Sequence, residues 1–369
     1  MLSLRNLLRR KVRTLLTVIG VAVGVSIVVA LASVARGFRS QVNGMFAAGE
    51  AHLILSRRGA SDPILSYLPD ALLADLRAHP AVADAHPVVF AARQTADLAA
   101  FVFYGTTPGS PFLEQMRVVE GAPLYGPGLP EHRIVLGRRA AENLGKAVGD
   151  TVRIGRHEHT VTGLFESATP LVDAGALLPY TDAQAAAGLD GKASTFLVQI
   201  REMTPEGLRA AEQALEAAFP EVEATSPAQW TDAFKEFELA DQTVAVFTLL
   251  AVAIGGISVM NTMLMSVFER TRELGVLQAI GWSRGMVLRE VLAEALLVAT
   301  AGGPLGIALG IGVVEAVGSF RQFSWIAGHY APAVLLTSLA VGFGMGVVGA
   351  AYPAWRAIRI QPVEALRYE

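Results

Sequence analysis

The segment ERTRELGVLQAIGWSRG (269–285) separates two long apolar runs, VAVFTLLAVAIGGISVMNTMLMSVF (244–268) and MVLREVLAEALLVATAGGPLGIALG (286–310). A stretch of roughly 18 or more predominantly apolar residues is long enough to cross a bilayer as a helix. Two such runs joined by a short charged segment predict two membrane spans connected by a loop at the membrane surface. The central functional question is what that loop contacts.

The composition of the whole chain also indicates a membrane protein. Of its 369 residues 52% are hydrophobic and 17% are charged, whereas soluble domains carry about 25% charged residues. Four spans are predicted, at 15–36, 243–268, 286–316 and 332–355. The apolar run of the first span exceeds the roughly 7–15 residues of a signal-peptide core, so we predict that it is retained.

The distribution of basic residues predicts the orientation. Lys and Arg near span ends concentrate on the cytoplasmic side. Five precede the first span, four lie at 269–289 and three follow the fourth span, whereas the loop at 317–331 holds Arg321 alone. We therefore predict a multi-pass protein of the cell (inner) membrane, with residues 1–14 forming a cytoplasmic amphipathic elbow helix and 356–369 a cytoplasmic tail. Residues 40–241 and the loop 317–331 then lie outside.

The predicted outer segment has a mixed α/β pattern. A strand, a helix and a strand precede residue 106, and the same succession follows residue 190, with the helix after Thr204-Pro205 marked by N-cap and N1 residues. The region 106–190 is rich in strands. We predict a large α/β domain between the first two spans, of split βαβ type with an inserted β-rich subdomain at 106–190, and we expect it to fold by itself.

Small residues recur at four-residue spacing within the spans, a pattern that lets helix backbones approach closely. The predicted packing positions are Gly20, Gly24, Gly302, Gly306, Gly310, Gly342 and Gly346, continued by Ala350. Pro304 lies inside the third span and predicts a kink or a local break there.

Three polar residues stand out inside or near the spans. Asn261 lies deep in the second span, where it can form an interhelical hydrogen bond or contact a substrate. Glu290 and Glu294 share one face near the start of the third span. They can interact with the helix dipole or pair with an arginine of the preceding loop.

The sequence contains few patterns typical of catalysis or cofactor binding. There is no cysteine, which excludes disulfides, thiolate catalysis and Cys-ligated zinc. No GxxxxGK[ST] phosphate loop occurs, and the basic residues form no clustered face of the kind that nucleic acid requires. His157 and His159 alternate along a predicted strand as a metal pair would, but no third ligand is evident and a solvated hairpin is favoured. We predict no enzymatic activity, cofactor or metal for this chain.

The connecting segment itself is compatible with a helix from about Glu269 to Ala279. Its charges form two i,i+3 pairs, Glu269–Arg272 and Arg270–Glu273. Its apolar residues Leu274, Leu277 and Ile280 recur at i,i+3 and predict one apolar edge, while Gly281 and Ser283 are typical of a helix end and the next N-cap. This pattern fits either a helix that docks in a protein groove or a helix that lies on the bilayer.

Four stretches together resemble the MacB/FtsX-type permeases of ABC transporters. ERTRELGVLQAIGWSRG is similar to the hallmark cytoplasmic loop of that family, and AYPAWRAIRIQPVEALRYE (351–369) to its closing motif. LRNLLRRKVRTLLTVIGVAVGV (4–25) matches the elbow and first span, and IVLGRRAAENLGKAVGDTVRI (134–154) resembles the periplasmic core domain. The similarity is collinear over essentially the whole chain.

This resemblance implies a coupling helix that docks on an ATP-binding subunit. The implied coupling residues are Glu269, Arg270, Arg272, Glu273, Leu274, Gly275, Leu277, Ile280 and Gly281. Because the sequence starts directly at the elbow, the branch without a fused ATPase is expected. The implied partners are two ATPase subunits that bind ATP and Mg²⁺, a second permease copy or paralogue, membrane lipid, and a periplasmic adaptor in some members.

Two functions are compatible with the resemblance. In the first, the chain is the permease subunit of an exporter that works by mechanotransmission, with ATP-driven closure moving the outer domains. In the second, it is a membrane-anchored regulator that uses the ATPase to control an extracytoplasmic partner without transporting a substrate.

Overall fold

The computed structural model describes residues 11–47, 51–60, 66–93, 101–227, 229–230 and 234–360. Their contacts divide the chain into two compact units. The helical unit consists of the residues up to Arg36, Ala240–Ala316 and those from Gly328 onward, and the outer unit consists of Gly37–Leu239 and Val317–Ala327.

Four helices of the described chain are long and apolar enough to cross a membrane. They are α1 (Lys11–Ala47), α7 (Lys235–Glu269), α9 (Arg284–Gly318) and α10 (Pro332–Ala357). The four predicted spans are thereby found, each within a longer helix. Residues 1–10 of the predicted elbow and 361–369 of the predicted tail lie outside the described residues, and Lys11–Thr14 already belong to α1.

Glycines bring α1 and α9 together in the helical unit. A Cβ added to Gly306 would lie 2.6 Å from the carbonyl oxygen of Ala22, and one added to Gly310 would lie 2.8 Å from that of Ser26. Gly302 makes a similarly close approach to α1. Side chains at Gly306 and Gly310 would collide with backbone, which moves far less readily than the end of a side chain, and one at Gly302 would collide with the Val21 side chain.

The other four predicted packing glycines also face neighbouring helices. A Cβ on each would meet a side chain within about 3.2 Å: Ser258 from Gly20, Met345 from Gly24, Val25 from Gly342 and Ala299 from Gly346. Of the kink or local break predicted at Pro304, the break is not found, because α9 is helical from Arg284 to Gly318.

The described residues of the outer unit form one large sheet and a small two-stranded one. The strands are β1 (Leu53–Arg57), β2 (Leu68–Pro69), β3 (Val82–Arg93), β4 (Phe101–Thr106), β5 (Arg117–Gly121), β6 (Arg133–Gly137), β7 (Thr151–Ile154), β8 (His157–Glu166), β9 (Ala176–Pro179), β10 (Lys192–Ala193), β11 (Thr195–Ile200) and β12 (Val222–Thr225). The helices are α2 (Leu72–Ala78), α3 (Arg138–Leu144), α4 (Pro170–Asp173), α5 (Tyr180–Ala187) and α6 (Pro205–Ala218).

Strand order confirms the split βαβ fold. The first half is β1-α2-β3 and the second is β11-α6-β12, and the four strands lie in the order β12-β1-β11-β3, all antiparallel. The second half is therefore interleaved with the first. The predicted cap of α6 is present, since the Thr204 hydroxyl accepts a hydrogen bond from the Gly207 N–H at 2.9 Å.

The strands of the insert are continuous with this sheet instead of forming a separate layer. β4 pairs antiparallel with β3 and parallel with β9, and the order continues through β6 and β8 to β5. The insert also carries α3, α4 and α5, so it is less purely β than predicted. Pairing with β4 extends the main sheet because it satisfies an edge that would otherwise be left open.

The loop between α9 and α10 packs within the outer unit. The Asn143 amide donates a hydrogen bond to the Ser324 hydroxyl at 2.6 Å, and Arg139 donates to the Ser324 carbonyl at 3.0 Å. Trp325 meets Phe38 edge-to-face with ring centroids 6.0 Å apart. Two of the described long helices are therefore connected, through their shared loop, to side chains of the outer unit.

Candidate functional site

The segment between α7 and α9 forms a short helix with defined ends. Helix α8 covers Thr271–Ala279, and the backbone leaves helical geometry at Arg270. Gly281 has φ +107°, a conformation that side chains disfavour. The Ser283 hydroxyl then accepts a hydrogen bond from the Met286 N–H at 3.4 Å and caps α9. The helix that the sequence predicts is present, with Glu269 as the last residue of α7 and not part of α8.

One side of α8 packs on the helical unit. Leu274 is only 2% exposed and belongs to an apolar cluster with Val267, Val287, Val291, Ala354 and Ala357. The Gln278 amide also donates to the Ala357 carbonyl at 3.5 Å. Residues from α7, α9 and α10 therefore pack against the buried side of α8.

Ion pairs lie at the junction of α7 and α8. Arg13 of α1 binds Glu269 through two hydrogen bonds of 2.8 and 2.9 Å. Arg270 pairs with Glu273 at 3.1 Å, as predicted, and with the buried Glu294 at 3.3 Å. The predicted Glu269–Arg272 pair is not formed, because Glu269 accepts from Arg13 and the Arg272 side chain is exposed.

The exposed side of α8 differs from the predicted apolar edge. Ile280 is 71% exposed, as an edge residue should be, but Leu274 is buried and Leu277 is half-buried. Val276, four residues before Ile280, is 41% exposed and joins it. The sequence contains the i,i+4 spacing of Val276 and Ile280. That spacing identifies the exposed edge only together with the burial of Leu274, which depends on tertiary packing. We call Val276 and Ile280 the apolar docking pair.

The other predicted coupling residues lie around this pair. Gly275 is buried against the helical unit, while Arg272 and Glu273 are exposed beside the docking pair. The exposed surface of α8 thus combines two apolar side chains with one positive and one negative charge.

The structure distinguishes between the two interpretations of the third-span carboxylates. Helix α9 begins at Arg284, so Glu290 and Glu294 lie beyond its first turn. The helix dipole acts within the first turn. Glu294 instead pairs with Arg270 and accepts a hydrogen bond from Ser266 at 3.4 Å. The Oε1 atom of Glu290 is buried and has no hydrogen-bond partner in the described parts of the chain.

Asn261 does not form an interhelical hydrogen bond with the described residues, which was one of the two roles predicted for it. Its side chain is exposed, and it makes no hydrogen bond with the described residues. The next residue, Thr262, makes the bond to α1, accepting from the Thr17 hydroxyl at 2.8 Å. The amide of Asn261 therefore lies on the exposed face of α7 without a hydrogen-bond partner among the described residues.

Loss of the Arg270–Glu294 pair is expected to destabilise the helical unit. Arg270→Leu removes the arginine that pairs with the buried Glu294, and removing one partner of a buried pair costs about 3–5 kcal/mol. The Tm of the purified protein in detergent should therefore fall. The double variant Arg270→Leu/Glu294→Leu should recover most of this loss, because two apolar side chains replace the pair. The exposed Arg272→Leu is the matched control, and an equal Tm for Arg270→Leu and Arg272→Leu would contradict the assignment.

Comparison with known protein families identifies the class of the chain. Residues 14–218 match the MacB-like periplasmic core domain, and residues 245–362 match the FtsX-like permease C-terminal region. The first match alone covers more than half of the chain. The chain belongs to the MacB/FtsX-type permease family and is a transmembrane permease of the ABC transporter class. Together with the four apolar helices, this makes it a multi-pass inner-membrane protein.

Individual relatives cover the whole chain at low identity. The macrolide export ATP-binding/permease protein MacB of Chromobacterium violaceum is 27% identical over 384 residues, which cover 97% of this chain and 59% of that protein. MacB of Hyphomonas neptunium is 28% identical over 395 residues, covering 100% and 60%. The chain thus spans about 60% of the length of these relatives. Among solved structures, the periplasmic region of MacB from Actinobacillus actinomycetemcomitans matches with TM-score 0.40 and 11% identity, covering 50% of this chain and 92% of that one.

Proposed function

We propose that this permease is the membrane subunit of an exporter driven by a separate ATP-binding subunit, and that it transmits ATP-driven motion to its outer unit. The observation that carries the proposal is helix α8. It is held to α7, α9 and α10 by buried contacts and by the ion pair of Arg270 with Glu294, yet it leaves Val276 and Ile280 exposed.

The docking pair fits a groove on a protein partner. The opposite side of α8 is already packed against other helices, so the exposed apolar pair loses little conformational entropy on binding. This favours docking. Arg272 and Glu273, beside the pair, can make polar contacts at the rim of such a groove. We propose that the partner is the ATPase, which binds ATP and Mg²⁺. The 369 residues contain no GxxxxGK[ST] pattern of their own.

The connections of the outer unit support transmission of movement. The last residues of α1 include Val42 and Met45, which lie in a hydrophobic core of the outer unit together with Phe237 near the start of α7. The loop from α9 to α10 is fixed to the same unit through Ser324. All four long helices are thus continuous in sequence with segments packed inside the outer unit. A movement of these helices would be carried to it by several connections.

The exposed face of α7 supports a second permease copy as a partner. Of the four long helices, α7 has the smallest buried share of its most apolar 18-residue stretch, counting contacts with the described residues. Its exposed residues include Leu250, Ile254, Ile257 and the amide of Asn261. An unpaired amide in hydrocarbon is costly and gains from a partner helix. We propose that this face of α7 meets another permease chain, with lipid covering the remaining surface.

Purification from native membranes tests the proposed assembly. We expect a tagged chain to bring down an ATP-binding subunit, with two copies of each in the intact complex measured by native mass spectrometry. Recovery of the chain without any ATP-binding protein would contradict the proposal. ATP hydrolysis that proceeds in reconstituted vesicles without export of any compound, while an extracytoplasmic enzyme is activated, would instead favour the regulatory function.

Cysteine labelling tests the predicted orientation. The chain has no native cysteine, so each single variant reports one position. In sealed cells an impermeant maleimide should label Asp190→Cys and Arg321→Cys but not Ala279→Cys, all three at exposed positions. Ala279→Cys should react only after the cells are opened. Its labelling in sealed cells would reverse the orientation and remove α8 from the cytoplasm.

Cross-linking tests the proposed contact through α7. Asn261→Cys should form a disulfide-linked dimer of the chain in membranes under mild oxidation, because the proposal places this face against a partner permease. If the partner is a paralogue, a second cysteine has to be introduced at the facing position of that chain before the disulfide can form. Leu336→Cys, an exposed position on α10, is the control and should stay monomeric. Equal cross-linking at both positions, or none at Asn261→Cys, would contradict this interface.

A further inference from the structure

The insert of the outer unit brings together two histidines and an aspartate that are far apart in sequence. His132 precedes β6, His159 lies on β8 and Asp182 lies in the first turn of α5. One ligand atom from each of the three side chains lies within 4.8 Å of the others. The cluster is separate from α8 and plays no part in the proposed coupling.

The topology of the sheet explains this convergence. Strands β6 and β8 are parallel neighbours, and the Thr160 N–H donates to the His132 carbonyl at 3.0 Å, so that His132 lies beside His159. Strand β9 is antiparallel to β6, and its end at Pro179 therefore lies near the start of β6. Helix α5 follows immediately and brings Asp182 to the same place.

The distances from the two histidines to the aspartate are close to those between ligands of one metal ion. The His132 Nδ1 atom is 3.3 Å from the Asp182 Oδ2 atom, and the His159 Nε2 atom is 3.8 Å from the same oxygen. Ligand atoms at about 2.0–2.1 Å from a tetrahedral zinc ion lie roughly 3.3–3.5 Å from one another. The three ligand atoms all lie within 4.8 Å of one another, so side-chain adjustments would bring them to that geometry.

His159 is the residue that a purely protein-based interpretation leaves unexplained. Its side chain is 1% exposed, and neither ring nitrogen makes a hydrogen bond in the described parts of the chain. The backbone of His157 lies near the ring, but outside hydrogen-bond geometry. The hydrogen bond between His132 and Asp182 accounts for those two residues, but not for the buried imidazole of His159.

We propose that His132, His159 and Asp182 form a zinc-type site for a divalent transition metal, with His132 Nδ1, His159 Nε2 and Asp182 Oδ2 as ligands. Two imidazole nitrogens and one carboxylate oxygen match zinc-type chemistry, whereas Ca²⁺ and Mg²⁺ prefer oxygen ligands. The His132 side chain is 40% exposed, which leaves room for a water molecule as a fourth ligand. Binding would fasten α5 to the paired strands β6 and β8.

His157 is a neighbour of the site and not one of its ligands. Its ring stacks on that of His132 with centroids 4.7 Å apart, and its side chain is exposed while that of His159 is buried. The ligand set therefore differs from the alternating His157–His159 pair considered in the sequence analysis. Because His157 is an imidazole at the same location that is not a ligand, its substitution is a matched control.

The test uses the purified full-length chain in detergent after removal of metals with a chelator. Calorimetric titration with Zn²⁺ should give one saturable site per chain, and Co²⁺ should give the intense visible absorption of a tetrahedral complex. Zn²⁺ should raise Tm in a concentration-dependent way. His132→Gln and Asp182→Asn should each raise the Kd for Zn²⁺ by about tenfold or more and remove the cobalt bands. His157→Gln should bind like the parent chain.

Each of several outcomes would overturn the assignment. One is the absence of both Zn²⁺ binding and tetrahedral Co²⁺ absorption in the parent chain. A second is binding that is lost in His157→Gln but kept in His132→Gln, and a third is binding that is unchanged in all three variants. Because His132 and Asp182 are only partly buried, their variants should keep the metal-free Tm of the parent, which separates lost ligation from lost folding.

Discussion

An Ile280→Asp variant is expected to reach the membrane and fold like the parent chain, yet to lose its ATPase subunit. Ile280 is 71% exposed, so the new carboxylate is solvated in the free permease and removes little internal packing. On docking, the same carboxylate would enter an apolar groove without a partner, at a cost of several kcal/mol. Because each 1.4 kcal/mol is a factor of ten in affinity, we expect copurified ATPase to fall by about a hundredfold or more.

A matched control separates loss of docking from a general effect of added charge. Val148→Asp makes the same chemical change at an exposed valine of the outer unit, and it should copurify the ATPase at the parent level. Leu277→Asp is less informative, since Leu277 is half-buried and its replacement could also disturb the packing of α8. Normal ATPase recovery with Ile280→Asp would favour the alternative in which α8 only lies on the bilayer.

Gly306→Leu is expected to prevent correct packing of α9 on α1. Even a Cβ at this position would lie 2.6 Å from the Ala22 carbonyl oxygen and 2.6 Å from the Val25 Cβ atom. The helices would have to separate, which removes the contacts of Gly302 and Gly310 as well. Overpacking a core typically costs about 1–3 kcal/mol and sometimes more, and a collision with backbone places this substitution at the upper end. We expect a large fall in Tm and poor recovery from the membrane.

Gly312→Leu is the control for this substitution. Gly312 lies on the same helix, and a Cβ added there meets nothing within 4 Å in the described residues. Its hydropathy change is identical, so membrane insertion is affected equally. We expect Gly312→Leu to keep the parent Tm in detergent. Similar destabilisation by both variants would show that glycine flexibility, and not close helix approach, is what matters in α9.

Features set by local sequence could be predicted well. Apolar length identifies the four long helices, and four-residue glycine spacing marks helix faces that are closely packed in the structure. The end of α8 at Gly281 and the Ser283 cap also follow from local backbone chemistry. In the outer unit, the two β-α-β successions were enough to predict the split fold, because each depends on neighbouring residues.

Features that depend on distant residues could not be predicted in the same way. Arg13 and Glu269 are separated by most of the chain, so the i,i+3 pairing with Arg272 was the only local alternative. Leu274 shares the i,i+3 spacing of Leu277 and Ile280, so the sequence alone predicts that it is exposed with them. It is buried because α7, α9 and α10 pack against it. The cluster of His132, His159 and Asp182 needs the order of β6, β8 and β9, which no local pattern contains.

The most direct test of the central claim is cross-linking from Ile280 in native membranes. The cysteine-free chain allows Ile280→Cys to carry a thiol-attached photoactivatable group at a single position. After illumination, mass spectrometry of the product should identify an ATP-binding subunit, whereas the same group on Arg321→Cys should capture none. Cross-linking of Ile280→Cys to lipid or to another permease chain, with no ATP-binding protein captured, would contradict the assignment of α8 as the coupling helix.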